Sequence, residues 1–82
     1  MNTEEFKSAA EEVKRYNPDN DTKSKLYGLY KQVNFGNCNT DKPGYFSGMT
    51  ERYKWDAWNN VKGKSKEDAM REYVNIVMKL RK

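Results

Sequence analysis

The chain has 82 residues and a formal net charge of +4, and 34% of its residues are charged. This length suits one domain, so the sequence predicts a single domain over residues 1–82. No apolar run approaches the roughly 20 residues that a membrane-spanning helix needs, which excludes stable membrane insertion. Six Tyr, two Trp and three Phe supply large, stiff apolar surface for a small fold of modest stability.

The chain contains one cysteine, Cys38, and no histidine. One cysteine cannot form an internal disulfide, and a zinc site of the usual ligand set cannot be assembled without histidine. No imidazole can act as a base near neutral pH, so we expect Cys38 to be an inert loop thiol. The first residues lack the pattern of a signal peptide. We therefore expect a cytoplasmic protein with no metal and no cofactor.

The first half of the chain predicts two helices. The first helix has an N-cap at Asn2 or Thr3. Its apolar stripe comprises Phe6, Ala9, Ala10 and Val13. Pro18 ends this helix, because proline disfavours helical geometry in the residue before it. The second helix follows a cap at Asn20 or Asp21. Its apolar side comprises Leu26, Leu29, Tyr30 and Val33.

The second half predicts two more helices after a long connection. We expect the second helix to end near Gly36 and the third to begin at Thr50, and a loop of this length is often functional. The third helix has a C-cap at Gly63, and Ser65 caps the fourth. The stripe of the fourth helix comprises Ala69, Met70, Tyr73, Val74, Val77 and Leu80. The chain thus predicts an all-α four-helix bundle, with a long loop between helices two and three that can cross over it.

Patterns typical of catalytic sites are missing from the sequence. Acidic pairs occur at Glu4-Glu5, Glu11-Glu12 and Glu67-Asp68, but successive helical residues point about 100° apart and do not converge on one site. Glycines are scattered at turns and helix ends, with no GxGxxG or GxxxxGK[ST] motif to hold a phosphate. We therefore expect no catalytic residue and no enzymatic activity.

The second helix interleaves aromatic residues with lysine. Tyr27, Tyr30 and Lys31 stand at i, i+3 and i+4, hence on one edge of the helix. A tyrosine ring can stack on a planar ring, its hydroxyl can donate to a phosphate, and lysine supplies charge, so the set suits a nucleotide-like anion. Spacing alone favours a plainer interpretation, in which both tyrosines lie at the edge of the core and Lys31 is solvated. Lys54 and Tyr73 have equally ordinary structural explanations.

Four sequence blocks together resemble the acyl-CoA-binding protein family. They are LYGLYKQ at residues 26–32, GNCNTDKPG at 36–44, KWDAWN at 54–59 and KGKSKEDAM at 62–70, with Tyr73 after them. Residues 6–13, which include AAEE, also fit the family. These blocks follow the family order over nearly the whole chain, so the joint match is specific although each block alone is weak.

The resemblance implies an up-down-down-up four-helix fold that binds thioesters of coenzyme A with medium and long acyl chains. It implies a non-enzymatic carrier in fatty acid metabolism, which transports and buffers acyl-CoA in the cytoplasm as a monomer. Carried over by position, the ligand-binding residues are Lys14, Tyr27, Tyr30, Lys31, Lys54 and Tyr73. Tyr30 would stack on the adenine, Lys14 would reach the phosphate region, and the other four would surround the ribose 3′-phosphate.

The chain departs from the family pattern at several places. The residues before the Leu-Tyr pair are commonly apolar in the family and contact the acyl chain, whereas Lys23, Ser24 and Lys25 stand here and make the apolar wall thinner. Residues 45–53 also differ from the usual pattern. The alternative function is a small basic helical interaction domain that binds a peptide or nucleic acid. Interspersed acidic residues count against that alternative, and we expect no nucleic-acid partner.

Overall fold

The computed structural model describes residues 3–81, which contain four α-helices and no strand. The helices are α1 at Thr3–Glu12, α2 at Asn20–Phe35, α3 at Met49–Asn59 and α4 at Lys66–Leu80. Short 3-10 turns follow α1 at Val13–Arg15 and precede α3 at Tyr45–Ser47. The predicted all-α architecture is therefore confirmed. None of the helices in the described part of the chain is long and apolar enough to cross a bilayer.

Helices α2 and α3 run in the same direction. Asn20 at the start of α2 and Met49 at the start of α3 line one cavity. Further along both helices, the Lys54 ammonium lies 5.7 Å from the centre of the Tyr27 ring. Because the residue numbers rise together along the two helices, the connection at residues 36–48 must travel back along the bundle.

Helices α1 and α4 also run parallel, and they complete the bundle. The Phe6 and Tyr73 rings have their centres 5.0 Å apart, and Glu12 at the end of α1 binds Arg81 just after α4. Helix α2 packs against both α3 and α4, and α1 packs against α4. The predicted up-down-down-up bundle with a long second connection is therefore confirmed.

The predicted apolar stripes form the core. Ten buried side chains make up one cluster: Phe6, Ala9, Leu26, Leu29, Val33, Ala69, Met70, Tyr73, Val74 and Val77. Burial of each large aliphatic or aromatic member contributes about 1.5–3 kcal/mol relative to exposure. Ala10 and Val13 are partly buried against this cluster. The helical periodicity in the sequence therefore identified most of the buried residues, but Tyr30, predicted on the apolar side of the second helix, is 43% exposed, and Leu80 is not part of the cluster.

The start of α2 differs from the sequence prediction. Asp19 is the N-cap, and its side chain accepts a hydrogen bond of 2.8 Å from the Thr22 N–H, whereas Asn20 or Asp21 was predicted. Asp19 has the extended backbone that an N-cap requires, and Asp21 already lies in the first turn, where its charge favours the helix dipole. The predicted end of α2 at Gly36 is confirmed by its positive φ of 78°.

The later helix ends follow the prediction in part. Ser65 caps α4 through a 3.0 Å hydrogen bond from the Asp68 N–H, as predicted. Helix α3 begins at Met49, one position before the predicted Thr50. Its C-cap is Asn60, so the prediction of Gly63 was wrong; Gly63 instead has a φ of 95° within the following turn. Asn2, a predicted cap of α1, lies outside the described residues, and Thr3 is the first residue of α1.

Two tryptophans hold the long connection against α3. The Trp58 indole Nε1 donates to the Gly36 carbonyl at 2.8 Å, and the Trp55 Nε1 donates to the Thr40 carbonyl at 2.9 Å. Cys38 is buried between these two anchors. The connection is therefore a hydrogen-bonded part of the fold, and it fixes the C-terminal end of α2 relative to α3.

Gly28 determines how closely α2 and α3 approach each other. This glycine is buried in the middle of α2, contrary to the expectation that glycines stand only at turns and helix ends. A Cβ atom at this position would lie 2.2 Å from the Ala57 carbonyl oxygen. The backbone of α3 therefore packs directly on α2 at this point, beside the cavity that the two helices enclose.

Candidate functional site

Two adjoining cavities lie along α2. The first, the interhelical groove, has a volume of about 590 Å³ between α2 and α3. It is lined from α2 by Asn20, Lys23, Ser24 and Tyr27, and from α3 by Met49, Thr50, Tyr53, Lys54 and Ala57. The second, the aromatic cavity, has a volume of about 300 Å³ and also contacts Lys23 and Tyr27. The two cavities therefore lie side by side, with Lys23 and Tyr27 of α2 lining both.

The apolar wall of the interhelical groove comes from α3. Met49, Tyr53 and Ala57 line it, and they stand at i, i+4 and i+8, hence on one face of the helix. On the α2 side the lining includes Lys23 and Ser24, as the departure from the family pattern suggested. Sequence reasoning predicted Lys54 of α3 but missed the three apolar residues of this helix, although their spacing could have identified this face.

The aromatic cavity lies between the end of α1, helix α2 and helix α4. Val13, Tyr16 and Pro18 line it on the α1 side. The other lining residues are Lys23, Leu26, Tyr27 and Tyr30 of α2 and Tyr73 of α4. Tyr16 was not among the predicted site residues, because no local pattern distinguishes it from an ordinary tyrosine after a helix.

Two rings that line the aromatic cavity, Tyr30 and Tyr73, form an aromatic cluster with the buried Phe6 ring. The Tyr30 and Tyr73 ring centres are 6.4 Å apart, and the Phe6 ring lies 5.8 Å from Tyr30 and 5.0 Å from Tyr73. Burial, together with the neighbouring Tyr30 hydroxyl, raises the pKa of Tyr73 to about 12. The Tyr73 phenol is therefore neutral at physiological pH and keeps its proton for donation to an acceptor.

The predicted lysines occupy three different environments. Lys54 lines the groove, with its ammonium over the Tyr27 ring. The Lys31 ammonium lies 4.2 Å from the centre of the Phe35 ring and 4.7 Å from that of Trp58, on the α3 side of α2. The structure thus brings Lys54 together with Tyr27 in the interhelical groove, whereas Lys31 lines neither cavity.

Lys14 lies on the surface outside both cavities. Its side chain is 70% exposed, and its ammonium lies 3.3 Å from the Glu11 carboxylate one helical turn earlier. An exposed pair of this kind contributes about 0–1 kcal/mol, so the contact restrains the lysine weakly. In this arrangement of the side chains, Lys14, Lys31 and Lys54 therefore do not lie together.

Together, the interhelical groove and the aromatic cavity suit an elongated ligand with two chemically different ends. The aromatic cavity is lined by tyrosines and by Lys23, and the Lys54 ammonium lies over the ring of Tyr27, which lines both cavities; this set favours a planar anionic group. The interhelical groove offers methionine and tyrosine surface, which favours an apolar chain. Within residues 3–81, no three His, Cys, Asp or Glu side chains lie together in a group that could hold a metal ion.

Comparison with known proteins identifies the family. The family model described as Acyl CoA binding protein matches residues 3–77. The acyl-CoA-binding protein of Gossypium hirsutum is 53% identical over 79 residues, covering 94% of this chain and 88% of that protein. The acyl-CoA-binding protein of Saccharomyces cerevisiae is 51% identical over 63 residues, covering 77% of this chain and 71% of that protein.

A solved structure agrees with the sequence comparison. The crystal structure of Oryza sativa acyl-CoA-binding protein 2 has a TM-score of 0.89 with this chain at 48% sequence identity. The similarity covers 94% of this chain and 87% of the rice chain. The fold, the order of the sequence blocks and these relatives agree, and the chain belongs to the acyl-CoA-binding protein family.

Proposed function

We propose that this chain is a single acyl-CoA-binding domain that binds one medium- or long-chain acyl-CoA thioester without catalysing a reaction. It would act as a monomeric cytoplasmic carrier that buffers and transports the thioester. The observation that carries the proposal is that Lys23 and Tyr27 line both cavities, so an apolar groove and an aromatic pocket adjoin each other along α2. Membership of the family supports the same ligand.

The aromatic cavity would hold the 3′-phosphorylated adenosine end of the ligand. Tyr30 would stack on the adenine, since its ring belongs to the aromatic cluster. Tyr27, Lys31, Lys54 and Tyr73 would surround the 3′-phosphate, and Lys14 would reach the phosphates. The groove would then take the acyl chain from Tyr27 towards Met49 and shield the thioester from water.

The contacts of Lys31 do not prevent this role. A cation–π contact at an exposed site contributes about 0.5–1 kcal/mol. A hydrogen bond between an ammonium and a phosphate contributes about 1.5–3 kcal/mol, so a phosphate would draw the ammonium away from the Phe35 and Trp58 rings. The same comparison applies to Lys14, whose exposed ion pair with Glu11 is weak.

Calorimetric titration with palmitoyl-CoA, free CoA and free palmitate tests the proposed function. We expect saturable one-to-one binding of the thioester and much weaker binding of both fragments, because only the thioester fills both cavities. Incubation with palmitoyl-CoA should release no free thiol. Absence of saturation with all three compounds would contradict the proposal and favour the alternative of a basic interaction domain.

The substitution Lys31→Glu tests the role of Lys31. We expect it to weaken binding of palmitoyl-CoA at least tenfold more than binding of palmitoyl-dephospho-CoA, because only the former carries the 3′-phosphate that the new carboxylate would repel. Calorimetry of both ligands measures the difference.

Lys25→Glu is the matched control for that substitution. Lys25 is an exposed lysine of the same helix and lines neither cavity, so reversing its charge changes the net charge equally. Equal weakening of the two ligands by Lys31→Glu would show that Lys31 does not contact the 3′-phosphate.

A further inference from the structure

Tyr16 occupies the α1 side of the aromatic cavity. It follows the 3-10 turn, and its N–H donates to the Val13 carbonyl at 3.0 Å, which places the residue where the chain leaves α1. Its side chain is half-buried and lines the same cavity as Tyr30 and Tyr73. A planar group in this cavity would therefore have aromatic side chains on the α1 side as well as on α2 and α4.

Hydrogen bonds through Glu12 connect the hydroxyl of Tyr16 to Arg81, which follows α4. The hydroxyl donates to the Glu12 carboxylate at 2.8 Å. The Arg81 guanidinium donates to both oxygens of the same carboxylate, from Nε and from Nη2, each at 2.6 Å. This two-bond fork has a defined orientation, so Glu12 is held between the end of α4 and the Tyr16 hydroxyl.

The Glu12 carboxylate remains ionised over the whole physiological range. The hydrogen bond from Arg81 and then that from Tyr16 lower the pKa of Glu12 to about 2. The hydrogen bond to Glu12 in turn raises the pKa of the Tyr16 phenol, so Tyr16 keeps the proton it donates. At physiological pH, Tyr16 and Arg81 therefore both remain donors and Glu12 remains their common acceptor.

We propose that Tyr16 is a further ligand-contact residue of the aromatic cavity, and that Glu12 and Arg81 are positioning residues that hold its ring in the cavity wall. The inference deepens the proposed function and rests on it, since the planar group would be the adenine of the ligand. Burial of the ring alone does not require a hydroxyl, because a phenylalanine would bury as well. The hydroxyl and its fork to Arg81 fix the orientation of the ring, which a ligand contact needs.

Calorimetric titration of variants with palmitoyl-CoA tests the assignment, beside urea unfolding of each variant. Tyr16→Leu keeps apolar volume and removes the ring, and we expect about five- to tenfold weaker binding. Tyr16→Phe keeps the ring and removes the hydrogen bond to Glu12, and we expect about threefold weaker binding. Arg81→Ala should weaken binding by no more than Tyr16→Phe does, because the hydrogen bond from Tyr16 to Glu12 remains without Arg81. When Arg81→Ala is added to Tyr16→Phe, binding should weaken no further, because Arg81 acts through the Tyr16 hydroxyl, which the phenylalanine lacks.

Arg71→Ala is the matched control. It removes an exposed arginine of α4 that pairs with Asp68, away from both cavities, and should leave the affinity unchanged. A lower unfolding stability of the Tyr16 variants with unchanged affinity would show a purely structural role and overturn the assignment. Additive effects of Tyr16→Phe and Arg81→Ala would overturn the positioning role. If the wild-type chain did not bind palmitoyl-CoA, the proposed function would fail, and this inference with it.

Discussion

Gly28→Ala is expected to lower the free energy of unfolding by about 2–3 kcal/mol. The added Cβ would stand 2.2 Å from the Ala57 carbonyl oxygen and 2.7 Å from its carbonyl carbon. These are backbone atoms, so a change of side-chain rotamer cannot relieve the clash. Helix α3 must therefore move away from α2. Forced insertion costs about 1–3 kcal/mol and occasionally more, and a clash with backbone atoms this close belongs at or above the upper end of that range. The cost therefore exceeds the roughly 1 kcal/mol of helix propensity that alanine gains over glycine by about 2 kcal/mol or more.

Thermal and urea unfolding measure this effect. For a domain of this size, the expected loss corresponds to a decrease in Tm of about 10–20 °C. Because Ala57 also lines the interhelical groove, binding of palmitoyl-CoA should weaken in the folded fraction as well. Unchanged or higher stability of Gly28→Ala would contradict the close approach of the two helices.

Gly44→Ala provides the control for the change of glycine to alanine. Gly44 has a φ of −67° and a ψ of 169°, which alanine adopts without strain, and its Cβ would have no neighbour within 4 Å. We expect this variant to be as stable as the wild type or more stable by about 0.4–1 kcal/mol, because alanine restricts the unfolded chain. The contrast between the two variants isolates the contact with α3.

Affinity for acyl-CoA is expected to rise steeply with chain length until the groove is full. Each methylene that leaves water contributes up to ~0.8 kcal/mol, or about fourfold in affinity. Octanoyl-CoA should therefore bind at least one hundredfold more weakly than palmitoyl-CoA if about four further methylenes are buried. Calorimetry over a series of even-numbered acyl chains gives the slope and the plateau. A flat dependence would contradict an acyl chain in the groove.

Met49→Ser tests where the long chains end. Met49 stands five residues before Lys54 on α3, which is about 7.5 Å along the helix axis. It is 85% exposed, so the substitution should leave the fold intact. We expect palmitoyl-CoA to bind about fivefold more weakly and butanoyl-CoA to bind unchanged, because a four-carbon acyl chain is too short to span from Lys54 to Met49. Met78→Ser removes an exposed methionine of α4 that lines neither cavity and should change neither affinity.

Local features of the sequence determined the helices and their buried faces. The stripe from Ala69 to Val77 repeats at helical spacing, and the side chains concerned are buried as predicted. Ser65 caps the start of α4 and Gly36 caps the end of α2. Each does so through a contact with a residue three or four positions away, so a short stretch of sequence contains the whole signal. Such signals depend on neighbouring residues only, so they are readable without the fold.

The tertiary structure decided the features that depend on residues far apart in the chain. Gly28 is buried because α3 passes over it, and Met49 lines the groove because α2 and α3 run parallel. The Lys31 ammonium points to Trp58 rather than towards the tyrosines, since an aromatic pair on that side attracts it. Tyr16 belongs to the aromatic cavity because the end of α1 packs beside α2 and α4, whose residues line the same cavity. Sequence spacing within one helix says which residues share a face, but only the packing of the helices decides what that face meets.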